Sequence, residues 1–143
     1  MLKKELSSVF YPKIYGFDTG FMCFAKGWSN LRTGDFGPLW EHLVLNNLIG
    51  TFQTNVTISY WRDKRGHEID FILKKDRNHE PIAVECTWNY KNFDFTSIRH
   101  FRNRYPEGRN FVVAANVFET NTRRFEGLDV TFLSLTELMK VLT

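Results

Sequence analysis

Gly66-His67-Glu68-Ile69-Asp70-Phe71-Ile72-Leu73, followed after a polar turn at Asp76-Arg77-Asn78-His79 by Pro81-Ile82-Ala83-Val84-Glu85-Cys86-Thr87, is the stretch that decides the fold. Both runs are rich in β-branched and aromatic residues and are bounded by turn formers, so each predicts a strand. Successive strand side chains alternate faces, which predicts Glu68 and Asp70 on one face of the first run and Ala83, Glu85 and Thr87 on one face of the second. If the strands pair, Asp70 and Glu85 converge. A carboxylate set among Ile69, Phe71 and Val84 is costly unless it meets a cation or a hydrogen-bond donor. Hard divalent ions take oxygen ligands, and Mg²⁺ or Mn²⁺ on one or two carboxylates fits this pattern.

Outward from this hairpin the elements alternate. Residues 56–62 form a further β-rich run, joined to the first by the turn Asp63-Lys64-Arg65-Gly66. Before it, Leu39, Leu43, Leu45, Leu48 and Ile49 are spaced for a helix over 38–52, which carries Glu41 in its first turns. After it, residues 94–105 read as a helix that stops before Pro106, and 110–115 as a buried strand. A last strand over 130–135 and a helix over 136–142 complete the chain, while 11–20 reads as a short strand or extended arm. Helices before and after a mixed central sheet predict a three-layer α/β domain, with a parallel crossover between the strands of Val84 and Val113.

The chain of 143 residues is one domain's worth, and no apolar run approaches the roughly 20 residues of a membrane span. Two cysteines, Cys23 and Cys86, make no disulfide framework, and the start lacks the apolar core of a signal peptide, so a cytoplasmic location is expected. The net charge of +3 permits nucleic-acid binding without demanding it. Basic residues gather at 62–65, at 99–104 and at Arg123-Arg124, all read as loops or exposed helix faces. No GxxxxGK[ST] loop is present, so ATP hydrolysis is not the chain's own. His42, His67, His79 and His100 show no metal-ligand spacing, and no zinc site is expected.

In this order, a helix bearing Glu, a hairpin with Tyr60-Trp61-Arg62 and Gly66-His67-Glu68-Ile69-Asp70-Phe71, and a Pro-Ile-x-Val-Glu strand resemble the PD-(D/E)XK nuclease superfamily. More narrowly, Lys13-Ile14-Tyr15-Gly16-Phe17-Asp18-Thr19-Gly20, Leu39-Trp40-Glu41-His42-Leu43-Val44 and Tyr60-Trp61-Arg62-Asp63 resemble the uncharacterised C-terminal domain that follows an AAA-type ATPase module in many bacterial and archaeal proteins. The resemblance implies a restriction-endonuclease-like fold over 13–143 behind an N-terminal arm over 1–12, a C-terminal piece of a larger ATPase with Met1 an added start. It implies Asp70 and Glu85 as ligands of Mg²⁺ or Mn²⁺, the Cys86 carbonyl as a further oxygen, Glu41 as a direct or water-bridged supporter, and DNA as substrate. The pattern's Lys is replaced by Thr87, which donates a hydrogen bond but brings no charge to the phosphate.

Lys91, Lys64 and Arg62 are the candidates to supply that missing charge, Lys91 being otherwise a solvated loop residue. Glu41 has a plainer reading as a carboxylate at the positive end of a helix, and Glu68 as the partner of Arg62 or Arg65. Trp61, Trp88 and Tyr90 flank the acidic strands and either stack on unpaired bases or pack the sheet. Cys86 reads as a small buried hydrophobe. Two function classes follow: a metal-dependent nuclease, or a non-catalytic module that binds nucleic acid or regulates an attached ATPase.

Overall fold

The computed structural model describes the backbone of residues 3–4 and the whole of residues 15–16 and 18–143. Its strands are β1 (Lys3–Lys4), β2 (Thr57–Arg62), β3 (Glu68–Lys74), β4 (Ile82–Thr87), β5 (Asn110–Ala114), β6 (Asn121–Phe125) and β7 (Leu128–Leu133). The helices are α1 (Thr19–Ala25), α2 (Phe36–Phe52), α3 (Thr96–Arg104) and α4 (Leu135–Leu142). The strands form one mixed sheet in the order β1-β2-β3-β4-β5-β7-β6. Antiparallel pairs β2–β3 and β3–β4 adjoin the parallel pairs β4–β5 and β5–β7, so the β4-α3-β5 crossover is parallel as the sequence predicts.

Apolar side chains cover both faces of the sheet, which makes the three layers. On one face Ile98 and Phe101 of α3 pack with Ile69, Ile72, Ala83, Val112 and Phe132. On the other, Val44, Leu45 and Leu48 of α2 and Leu138 of α4 pack with Phe71, Val84, Val113 and Leu133. Strand β5 is buried at every position, as a central parallel strand covered on both sides should be. Among the described residues no helix is long and apolar enough to cross a membrane.

Three local readings differ from the sequence expectation. The strand or arm expected over 11–20 falls largely outside the described residues, but its last part is helical. Asp18 caps α1 by accepting from the Phe21 amide at 2.6 Å, so Asp-Thr-Gly starts a helix instead of turning a strand. Strand β6 was not expected, because Asn-Thr-Arg-Arg-Phe has too few apolar residues to reveal its period. The structure makes it an edge strand, closed on β7 by Glu126 (φ 47°) and Gly127 (φ 84°) in a tight hairpin turn. Arg123 and Arg124 therefore lie on a sheet edge and not in a loop, Arg124 facing Asp129 at 3.7 Å.

The third difference concerns β3. Between the pairs Ser59↔Ile72 and Trp61↔Ile69, β2 advances two residues while β3 advances three, so β3 carries a bulge at Asp70-Phe71. Strict alternation is lost there, which is why Ile69 and Ile72 both enter the α3-side core. The premise that Glu68 and Asp70 share a face through simple alternation fails for the same reason. Bulges recur where a strand must re-aim a side chain, and here the side chain is that of Asp70.

Candidate metal centre

Asp70 and Glu85 meet across β3 and β4, one step beyond the Phe71↔Val84 pair. Glu85 Oε2 accepts the Asp70 amide at 3.2 Å, and Asp70 Oδ2 accepts the Cys86 amide at 2.8 Å. Each carboxylate is thus held by the backbone of the other's strand. Glu85 is 8% exposed, a carboxylate taken almost wholly out of water. One backbone amide on each carboxylate offsets part of the cost, since a hydrogen bond to an ionised acceptor is worth about 1.5–3 kcal/mol. A divalent cation between two such groups offsets more.

Glu41 sits one layer away, on α2. Its carboxylate accepts from the Tyr15 hydroxyl, and the Tyr15 ring packs 6.1 Å from Phe71, the residue after Asp70. Because α2 starts at Phe36, Glu41 is past the first turn, and the helix-end reading of this residue fails. A cleft of about 480 Å³ opens beside it, lined by Tyr15, Phe21, Met22, Pro38, Glu41 and His42. His42 is buried with Nε2 2.9 Å from the Gly16 carbonyl, which ties α2 to the chain before α1.

Thr87 ends β4, and its hydroxyl donates to the Asn89 carbonyl at 3.0 Å. Lys91 is exposed in a short 3-10 turn over Tyr90–Asn92, and its ammonium makes no ion pair with any described residue. Arg62 lies 3.9 Å from Glu68, the cross-hairpin pairing anticipated for that glutamate. Lys64 is exposed at the hairpin turn. Cys86 is half-buried against the α2-side core, in keeping with its reading as a small hydrophobe, while its amide serves Asp70.

The flanking aromatic residues divide. Trp61 is core, edge-on to Phe101 at 5.5 Å, and Tyr90 packs on Phe132 at 5.8 Å. Trp88, directly after Thr87, is 44% exposed and stacks on Phe36 at 4.9 Å, with Trp40 edge-on behind it. The basic run at 99–104 divides as well. Arg102 is buried, and its guanidinium donates to Asn110 Oδ1 and to the carbonyls of Pro81, Tyr105, Glu107 and Arg109. Burial lowers its pKa to about 10, which leaves it charged at neutral pH. It fixes the loop before β5 and is not a surface cation.

A second cluster lies at the β2–β3 turn. His67 Nδ1 is 2.6 Å from Asp63 Oδ2, and the His67 ring stacks on His100 of α3 at 3.8 Å and 14°. The four histidines looked scattered along the chain, yet the fold brings these two into contact. Asp63 and His67 at the two ends of a tight turn were a usable signal; His100 lies on a distant helix and gave none.

A mixed α/β domain whose bulged second hairpin strand and third strand bring two carboxylates together is the class this fold and site define. The family model described as Domain of unknown function (DUF4143) matches residues 36–138, and the chain belongs to that family. No curated protein matches it.

Proposed function

We propose that this chain is a PD-(D/E)XK nuclease-like domain that holds Mg²⁺ or Mn²⁺ on Asp70 and Glu85 and hydrolyses DNA phosphodiesters. The observation that carries this reading is the mutual bracing of the two carboxylates by the amides of Asp70 and Cys86, at a bulge that aims Asp70 at β4. The donor set fits a hard cation: two carboxylates and the nearby Cys86 backbone offer oxygen, with Glu41 in support. The bound ion supplies activation of water and neutralisation of phosphate charge. The chain's own residues hold it, and Glu85, shielded from water, keeps the local field strong. In this reading the domain acts in the cytoplasm, attached to an AAA-type ATPase module of a longer protein.

Incubation with single- and double-stranded DNA and saturating Mn²⁺ tests the proposal. Cleavage that disappears in Asp70→Ala and Glu85→Ala supports it, and intact DNA with the wild type refutes catalysis. One observation favours a second reading, a module that binds nucleic acid or regulates the ATPase without cutting. The Thr87 hydroxyl is turned to the Asn89 carbonyl, and the position brings no cation. Cleavage gained only in Thr87→Lys identifies a site that has lost its chemistry; equal activity means that charge comes from another residue.

A further inference from the structure

We infer that Asp63, His67 and His100 form a binding site for a borderline divalent transition metal of the Zn²⁺ class, separate from the carboxylate pair. One ligand atom from each of the three lies within 4.8 Å of the others, and all three side chains are half-buried. Two imidazoles and one carboxylate suit Zn²⁺, Co²⁺ or Ni²⁺ far better than Mg²⁺. The set is also partly built in advance. Asp63 Oδ1 accepts the amides of Arg65 at 2.8 Å and His67 at 2.9 Å, which fixes the carboxylate in the turn. The His67 ring is fixed in turn by Asp63, and the His100 ring lies against it. The ring nitrogens of His100 make no hydrogen bond to any described residue, so nothing on α3 competes for them.

Ligands of a tetrahedral Zn²⁺ stand about 3.3 Å apart for bonds of about 2 Å. Asp63 and His67, at 2.6 Å, are slightly closer than that, because they share a proton. His100 is the ligand that must turn, out of the stack and towards the ion. The metal takes the place of the proton between Asp63 Oδ2 and His67 Nδ1, and that proton passes to Nε2 of the same ring, so the imidazole ligates in its neutral form. The metal clips the β2–β3 turn to α3, and because a ligand of the folded state stabilises it by mass action, it raises the unfolding temperature.

The test is isothermal titration of the intact chain with Zn²⁺ in the presence of saturating Mg²⁺. One equivalent bound, and affinity at least about tenfold lower in His67→Ala and His100→Ala, is the expected result. A rise in unfolding temperature with Zn²⁺ that is absent in His100→Ala gives the same answer without relying on the hairpin variant. Absence of Zn²⁺ binding, or binding untouched by His100→Ala, overturns the inference. Binding lost in Asp70→Asn but kept in His100→Ala also overturns it, by assigning the ion to the carboxylate pair. Because the readout involves no DNA, its failure is distinct from failure of the nuclease reading.

Discussion

Replacing Arg102 by Lys keeps a positive charge in the basic run at 99–104 but removes the planar fork. The guanidinium makes five hydrogen bonds from a position 3% exposed: Nε to Asn110 Oδ1 at 2.6 Å, Nη1 to the carbonyls of Tyr105 and Glu107, and Nη2 to those of Pro81 at 3.0 Å and Arg109 at 2.8 Å. A lysine ammonium has three donors, so at least two of the five bonds are lost. Hydrogen bonds to a charged group contribute about 1.5–3 kcal/mol each, which puts the loss at about 3 kcal/mol or more. Arg102→Met strips all five bonds together with the buried charge, and costs more than Arg102→Lys. With a urea m-value of about 2 kcal/mol/M, the Lys variant shifts the denaturation midpoint by roughly 1.5 M. Urea unfolding followed by circular dichroism measures this. A shift below about 0.5 M in Arg102→Lys would mean that charge alone suffices and that the planar fork is not what holds the loop.

Gly108 has φ +115°, and an added Cβ would stand 2.2 Å from the Pro81 carbonyl oxygen that Arg102 binds. Gly108→Ala should cost about 2–4 kcal/mol in thermal unfolding and be non-additive with Arg102→Met, since both disturb one carbonyl; full additivity would deny the shared network. The Tyr105 hydroxyl is buried with no hydrogen-bond partner among the described residues, so Tyr105→Phe should leave stability unchanged or raise it by up to about 1 kcal/mol. A loss above about 1 kcal/mol would show that the hydroxyl has a partner. Burial pushes the Asp63 carboxyl up, but the His67 ring and the amides of His67 and Arg65 outweigh it and hold the pKa below the usual 3.8. A lowered folded-state pKa gives stability that is present above the unfolded value and is lost as pH falls through the folded one. The gap in stability between wild type and Asp63→Asn should therefore be full at pH 7 and shrink below about pH 4, and a pH-independent gap contradicts the assignment.

The layered α/β fold was legible because its strands and helices have strong and different hydrophobic periods. Strand β4 shows this best, with Val84 turned to one core and Ala83 to the other. Glu85 and Asp70 stood out for the same reason, as charges inside apolar runs. What the residues did not disclose was how they meet. Alternation places Asp70 by parity, whereas a bulge places it in the structure, and a bulge depends on pairing with β2 that a single strand does not encode. The capping role of Asp18 and the edge position of Arg123 and Arg124 were hidden for a related reason: both follow from neighbours and not from local pattern. Arg102 looked like half-buried Arg99 and exposed Arg104, because only the packing of α3 against β5 shows which of the three points inward. The contact of His67 with His100 likewise exists only once α3 lies across the sheet.

Titration with Mn²⁺ followed by electron paramagnetic resonance tests, without requiring catalysis, the proposal that Asp70 and Glu85 jointly hold a hard divalent cation. One Mn²⁺ per chain, competed by Mg²⁺, lost in both Asp70→Asn and Glu85→Gln and retained in His100→Ala, is the expected result. A wild type that binds no Mn²⁺, or binding that survives both carboxylate substitutions, would contradict it.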